Sequence, residues 1–419
     1  MVNAGHTLHH LSNSLSQPME IALVGMSSRM SGVEFSTLYL AEQLDKQKWL
    51  PVVISSEEGD LVERCRAAGL PTAIVSANRG ISTSIRLGGV LLPNPIALVI
   101  NGFAILLNAL KLRRYLDATK PRIVITKGMS AHFFGGLAAR SLRIPCVWHV
   151  QDRVSERYGP FFKWIISGGG RLLADRCIAD AESIARQLGT LIPKDRISII
   201  LNGIDTDRFS PDVDGLSVRS EWGVDRDTIL IGVVARLTPW KGQHLLLEIS
   251  AGLLVRHPNL KVVLVGTPMF DNDKYLKRLR EYVRTHGLGS SVIFAGFRWD
   301  LPQVLAALDV VAHTSVEKDS SPLAVVSAMA AGKPIVCSRV DGTAELFDDG
   351  RDALLFTPGD SHMLQESLQR ILSDPDLAVR LGRSAREKAV KELNLELFAE
   401  RCEHVLTDVL DKVNARRQV

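Results

Sequence analysis

Short apolar runs alternate with helical stretches along most of this chain, and the alternation pauses once. "EIALVG" (20–25) reads as a strand. After the loop "MSSRMSG", the stretch "VEFSTLYLAEQLDK" repeats its apolar residues at the period of a helix. "LPVVIS", "PTAIV", "RIVIT", "IPCVWHV", "RCIAD" and "RISIIL" are further strands with helical stretches between them. The pause, "NGIDTDRFSPDVDGLSVRSEWGVDRD" (202–227), is rich in Asp, Gly, Ser and Pro and reads as a linker. The alternation resumes with "TILIGVVARL" and runs through "LKVVLVG", "SVIFAG", "DVVAHT", "KPIVCS" and "ALLFTP". Strands separated by helices demand a parallel sheet covered on both faces. The expected fold class is α/β, with two tandem doubly wound parallel-sheet domains and a cleft between them. The length, 419 residues, exceeds what one core ordinarily supports and agrees with that division.

Several function classes are excluded early. The formal charge of +4 comes with no dense Lys/Arg block, so no nucleic-acid partner is expected. The cysteines (65, 146, 177, 337 and 402) are scattered and odd in number. No Cys/His spacing suggests zinc, and free thiols in a reducing, cytoplasmic compartment are expected. Residues 1–18 have no basic n-region and no apolar core; they read as a disordered lead-in, not a signal peptide. No GxGxxG is present, which argues against a nicotinamide dehydrogenase. The Asp-x-Asp triplets, such as Asp205 and Asp207, lie mostly in the linker, where Asp forms turns. No metal site is expected.

One segment raises a membrane question. From Leu87 to Leu110 there is no charge. Pro93 and Pro95 lie near its start, and Asn94, Asn101 and Asn108 recur every seven residues, on one helical face. This reads as a helix starting near Pro95 and ending in "KLRRYL", buried on the sheet or docked on a surface. An apolar face followed by Lys111, Arg113 and Arg114 suits peripheral contact with the inner face of a membrane. A buried, sheet-covering helix with a solvated basic end fits the same pattern.

In open α/β sheets ligands bind beyond the carboxyl ends of the strands, so the loops after strands should carry the chemistry. In "VVARLTPWKGQ", Arg236 ends a strand and Lys241 opens a helix; a planar fork of donors and a point charge together suit a diphosphate. The stretch from His313 to Val336 begins "HTSVEK" and closes with "SPLAVVSAMAAGKPIV". In it Ser321 is placed to cap a helix and Pro322 fits its first turn. The free N–H groups of Leu323 and Ala324 would then point at a bound anion. Gly32 precedes a helix and permits close approach of a ligand. Gly266, in "VGTPMF", belongs to another such loop. His149 ends a strand of the first domain and is expected to face the cleft.

Taken in order, these segments resemble glycosyltransferase family 4, whose members have the two-domain GT-B fold. "GVEFSTLYLAEQL", "LNGIDTDRFSP", "VARLTPWKGQ", "SPLAVVSAMAAGKPIV" and "DGTAELFDDGRDALLFTPGD" carry the resemblance, from about Ile21 to about Phe398. It implies an acceptor-binding domain over 19–208, a nucleotide-sugar-binding domain over 209–396 and a last helix, 397–419, packing back on the first. It implies a UDP- or GDP-linked sugar as donor substrate, no cofactor, and transfer of a hexose with retention to a glycan or lipid-linked acceptor. Arg236 and Lys241 match the diphosphate clamp, and Leu323 and Ala324 the donors to the distal phosphate. Phe297 and Arg298 match the segment whose backbone reads the base, and Gly32 the turn near the phosphates. The family pairs two acidic residues eight apart; here the positions hold Asp319 and Ser327. Asp319 keeps the first carboxylate, while Ser327 replaces the Glu that grips the ribose. Some relatives carry "HxHD" near His149; this chain has Gln151 there, and His149 stands with Asp319 as a catalytic candidate. A GT-B-type sugar-nucleotide epimerase and a non-catalytic nucleotide-sugar-binding or scaffold protein are the alternatives.

Overall fold

The structure, a computed structural model, describes residues 17–81, 84–87, 90–152, 159–268, 273–317 and 319–418. The first domain contains β1 (Met19–Val24), α1 (Gly32–Gln43), β2 (Trp49–Ser55), α2 (Asp60–Ala67), β3 (Thr72–Ile74), a hairpin of β4 (Ser84–Leu87) and β5 (Val90–Pro93), and α3 (Pro95–Thr119). It continues with β6 (Ile123–Lys127), α4 (Met129–Ser141), β7 (Cys146–Val150), α5 (Gly159–Leu173), β8 (Arg176–Ala179), α6 (Glu182–Leu188) and β9 (Ile197–Ile199). Its seven-stranded sheet has the order β3-β2-β1-β6-β7-β8-β9, and every pair is parallel.

The second domain starts with α7 (Leu216–Glu221), β10 (Ile229–Val234), α8 (Gln243–Arg256), β11 (Leu260–Val265), α9 (Lys274–Thr285), β12 (Val292–Gly296), α10 (Leu301–Ala307) and β13 (Val310–His313). It closes with α11 (Leu323–Ala330), β14 (Ile335–Ser338), α12 (Asp341–Leu346), β15 (Leu354–Phe356), α13 (Ser361–Ser373) and α14 (Pro375–Glu392). Its six-stranded sheet has the order β12-β11-β10-β13-β14-β15, again parallel. Both strand orders reverse direction once, which is the doubly wound pattern read from the sequence.

The apolar runs are continuous because each central strand is covered on both faces. In the first domain α3 to α6 cover one face, through Leu112, Phe134, Ile166 and Ile184. On the other face α1 and α2 pack beside the last helix, α15 (Leu395–Gln418), through Leu40, Leu61, Phe398 and Leu406. The chain therefore returns to its first domain. It does so where two passes touch: Ile204 N–H donates to Leu393 O at 2.8 Å. A Cβ on Gly203 would lie 2.6 Å from the Phe398 Cβ and 2.8 Å from Asn394 O, so no larger residue fits there.

The asparagine spacing on α3 has a structural use. Asn94 caps the helix, accepting from Ala97 N–H at 3.2 Å. The Asn101 side chain donates to Ile81 O and accepts from Ile81 N–H, each at 2.8 Å. Asn108 does the same with the Asn78 backbone, at 3.0 and 2.8 Å. The stripe thus holds residues 78–81 as a neighbouring strand would. The helix starts at Pro95, as expected, and differs from the expectation at its other end. A hairpin precedes the helix, and the helix runs past Leu116 to Thr119, where Lys120 ends it in the left-handed conformation (φ 52°). Its second half buries Ala109, Leu112 and Leu116, whereas Ile96, Val99 and Phe103 of the first half are exposed. The helix is long and apolar enough to cross a membrane by composition. However, β1 lies between β2, which precedes the helix, and β6, which follows it, in one sheet.

Candidate functional site

The carboxyl ends of both sheets meet along one cleft. On the second domain's side, the turn from β13 to α11 carries Asp319. Its Oδ2 accepts from the Lys241 ammonium, from the Ser315 hydroxyl at 3.1 Å, and lies 3.0 Å from His313 Nε2. Burial pushes this carboxyl up, but Lys241 and His313 outweigh it and hold Asp319 well below the usual carboxylate range. Burial holds His313 below its ordinary value, although Asp319 beside it works the other way. Asp319 is therefore a carboxylate, and Lys241 is fixed beside it. Gly242 makes the approach of the two loops feasible. Its φ is 67°, and a Cβ there would lie 1.9 Å from Thr314 O, so glycine is required on two counts.

Arg236 is exposed at the mouth of the cleft, and its guanidinium lies 5.7 Å from the Trp240 ring centre. Lys241 Nζ lies 4.3 Å from the centre of the same ring. Across the cleft stands Asp152 of the first domain, whose carboxyl is raised by burial, with the Met129 amide and Arg236 opposing. Gly266 closes the floor: its N–H donates to Gly296 O at 2.7 Å, and a Cβ would lie 2.0 Å from Ala235 O.

The start of α11 differs in detail from the sequence reading. Pro322 is the N-cap, so Leu323 opens the helix. Ser321 is not the cap; its Oγ accepts instead from Asn202 Nδ2 at 3.1 Å, across the domain boundary. The first intrahelical bond runs from Val325 N–H to Pro322 O, which leaves the N–H groups of Leu323 and Ala324 without intrahelical partners. Ser327 is buried, and its hydroxyl donates back to Leu323 O at 2.8 Å. The helix itself satisfies that serine.

His149 is the clearest departure. It is not exposed in the cleft. It is fully buried at the end of β7, 6.1 Å from the Phe398 ring of α15, with no hydrogen-bond partner on either ring nitrogen. Burial lowers its basicity far below the ordinary value, with Lys127 adding to the effect. The cause is the returning C-terminal helix, which seals this strand end. Gly32 is the first residue of α1, and a Cβ there would meet nothing within 4 Å. The Arg298 guanidinium turns away to Glu221 and Asp300, which raise its pKa further, so only its backbone is left for a ligand. Phe297 is exposed and packs edge-on to Trp299 with ring centres 4.7 Å apart.

Four polar residues at the cleft escaped the sequence reading. Lys127 is 2% exposed at the end of β6. Asn202 is buried and touches both domains. Ser320 donates to Gln151 O at 3.0 Å and to Asp180 Oδ2 at 3.3 Å. Burial raises the Asp180 carboxyl well above its usual value; Ser320 opposes this, and the Asp152 and Asp319 carboxylates add to it. The signal for Lys127 was present, as a cation closing the apolar run "RIVITK". Glu345 latches the domains further out, accepting from the Glu182 and Ser183 amides at 2.7 and 2.9 Å. Among the described residues no group of His, Cys, Asp and Glu is arranged to hold a metal ion.

Two family models match. The one described as Glycosyl transferases group 1 covers residues 217–388, and the one described as Glycosyltransferase Family 4 covers residues 30–208. The chain is similar to a D-inositol 3-phosphate glycosyltransferase of Corynebacterium jeikeium, 34% identical over 201 residues, which are 46% of this chain and 48% of that protein. The chain spans about half the length of such curated relatives. It is also similar to the UDP-Gal:alpha-D-GlcNAc-diphosphoundecaprenol alpha-1,3-galactosyltransferase of Escherichia coli, 24% identical over 414 residues, covering 94% of this chain and 97% of that one. Among solved structures, the Anabaena protein HepE in complex with UDP and glucose superimposes with a TM-score of 0.80 at 23% identity, covering 93% of this chain and 99% of the other. At that identity the likeness is one of fold.

Proposed function

Because the chain belongs to glycosyltransferase family 4, with the two-domain GT-B fold, we propose that it moves a hexose from a UDP- or GDP-linked donor to a glycan or lipid-linked acceptor, with retention of configuration. The observation that carries this reading is the Lys241–Asp319 ion pair, with Arg236 on the loop that also carries Lys241 and the free amides of Leu323 and Ala324 at the helix start that follows Asp319. Such donors suit the two phosphates of a nucleotide sugar. Asp319 would accept from sugar hydroxyls, and the backbone at Phe297 and Arg298 would read the base. As the sugar leaves, charge gathers on the diphosphate, where Lys241, Arg236 and the start of α11 stabilise it electrostatically. The Escherichia coli relative is named for a UDP-linked donor and a lipid-linked acceptor, which supports the same classes here.

The reading includes no cofactor and no metal, because fixed cations and amides supply the positive charge at the diphosphate. It also includes peripheral contact with the cytoplasmic membrane face through α3. The exposed apolar residues of α3 are joined by Trp164 and Leu172 of α5, on the same side of the sheet. Helices α3, α4 and α5 carry six basic residues (Lys111, Arg113, Arg114, Arg140, Lys163 and Arg171) and one acidic residue, Asp117. A lipid-linked acceptor would lie in that membrane.

Thermal-shift titration with UDP-, GDP- and ADP-sugars tests the donor, since ligand binding raises apparent stability by mass action. Release of nucleoside diphosphate in the presence of chelator tests the metal-free chemistry, and the anomeric configuration of the product tests retention. Binding without turnover on any glycan or lipid-linked acceptor would favour a non-catalytic protein.

A further inference from the structure

We propose that the Ser321 hydroxyl is a further contact to the diphosphate, and that its proton is aimed at the phosphate by a one-way chain of hydrogen bonds starting at Lys127. The proposal rests on the function proposed above. The chain is buried up to Asn202, ends at the half-buried Ser321 and crosses the domain boundary. Lys127 Nζ donates to Ser36 Oγ at 2.9 Å, Ser36 Oγ donates to Asn202 Oδ1 at 2.9 Å, and Asn202 Nδ2 donates to Ser321 Oγ at 3.1 Å.

Its direction follows from the chemistry of the groups. A protonated lysine has donors only, so Ser36 must accept from it and pass its own proton to Asn202. Gln151 Nε2 lies 2.8 Å from the same Asn202 Oδ1 as a second donor. The amide nitrogen then has to face Ser321. Having accepted from Asn202, Ser321 keeps its one hydroxyl proton to give. Ser321 is half-buried and immediately precedes Pro322, beside the free amides that start α11.

Both anchors are tied to the fold. Lys127 lies within the first sheet, and Gly203, next to Asn202, is wedged against Phe398 and Asn394. Burial lowers Lys127 to about 7, with Cys402, Glu34 and Asp180 opposing, so it carries its proton at pH 6. Asn202 and Lys127 act through Ser321 and are positioning residues.

The test is calorimetric titration with UDP, inorganic pyrophosphate and uridine at pH 6. Ser321→Ala should weaken UDP and pyrophosphate roughly tenfold to a hundredfold, as for loss of one hydrogen bond to a charged group, and leave uridine unchanged. Asn202→Leu is the sharper variant, because it removes the donor to Ser321 without adding a charge near the anion. The Ser321 proton is then no longer aimed, so Asn202→Leu should weaken UDP and pyrophosphate in the same direction as Ser321→Ala. In the Ser321→Ala background it should add nothing. A further loss there would mean that Asn202 acts by a route other than Ser321, and would overturn the chain. So would unchanged UDP and pyrophosphate affinity in a folded Ser321→Ala protein. If pyrophosphate shows the expected pattern while nucleotide sugars do not bind, the donor assignment falls and the anion contact stands. If neither pyrophosphate nor UDP binds the wild type, both fall.

Discussion

Lys241 and Asp319 form a largely buried ion pair that joins the loop after β10 to the turn before α11, with side chains 11% and 12% exposed. Removing one partner of a buried pair leaves the other uncompensated, at a cost of about 3–5 kcal/mol. Asp319→Asn should therefore lower stability at neutral pH by an amount of that order. The folded-state pKa of Asp319 is depressed, so its contribution is present above the unfolded value of about 3.9 and is lost as pH falls through the folded value. The gap between wild type and Asp319→Asn, followed by urea unfolding, should narrow below about pH 4. A gap independent of pH would contradict the pairing.

Lys241 is also one of the two side chains proposed to clamp the diphosphate. Arg236→Ala or Lys241→Ala should each reduce kcat/KM by roughly tenfold to a few hundredfold, the worth of one charge-assisted contact. Steady-state kinetics on a nucleotide sugar would decide. The Arg236 variant gives the cleaner reading, because that side chain is exposed, whereas Lys241 is buried against Asp319.

The layout of strands, helices and cleft loops was legible because buried parallel strands must be continuous apolar runs and helices must repeat near every fourth residue. Arg236, Lys241 and the start of α11 follow from that layout, since each sits at a strand end or helix start, whereas Asp319 is marked only by the resemblance to the family. What sequence does not carry is which distant segment covers a given strand end. His149 looks exposed to the cleft until α15, about 250 residues later in the chain, lays Phe398 over it. Ser321 looks like a cap until Asn202, from the other domain, takes its hydroxyl oxygen. Both are long-range pairings of polar or aromatic groups that no local period encodes.

Ser327 illustrates the same limit in the site. By sequence it is a weakened ribose contact, and Ser327→Glu would be expected to tighten donor binding. In the structure it is 2% exposed and bonded to Leu323 O. A glutamate there has to displace packed neighbours or bury a carboxylate. Overpacking alone costs about 1–3 kcal/mol. Ser327→Glu should lower the unfolding midpoint without raising donor affinity. A variant as stable as wild type that binds donor more tightly would restore the ribose role.

Lys127 gives a pH signature separate from the ligand. Its folded pKa is lowered to about 7, whereas an unfolded lysine titrates at about 10.4. Between those values the unfolded chain binds the extra proton, so wild-type stability should rise with pH across that window. Lys127→Met removes the titrating group and leaves only a constant offset from the lost bond to Ser36. The stability of wild type relative to Lys127→Met should therefore climb from pH 7 toward pH 10, by up to about 1.4 kcal/mol per unit. Parallel stability curves for the two proteins over that range would show that Lys127 is not desolvated as the fold implies.

The apolar half of α3 remains to be covered by something. Ile96 and Val99 are 70% and 74% exposed, and Phe103 is 62% exposed. The helix cannot turn them inward, because Asn101 and Asn108 hold the opposite register against the backbone of residues 78–81. Lys111, Arg113 and Arg114 follow on the same helix, and each basic residue near an anionic bilayer adds about 1 kcal/mol. The protein should co-sediment with vesicles containing anionic lipid at low salt and detach as salt rises. Replacing the three basic residues with Gln should abolish sedimentation and leave donor binding intact, since the cleft lies at the strand ends. Phe103→Ser should weaken binding at every salt concentration, because it removes buried apolar area instead of charge. A wild-type protein that ignores anionic vesicles at low salt would reject membrane docking through this face.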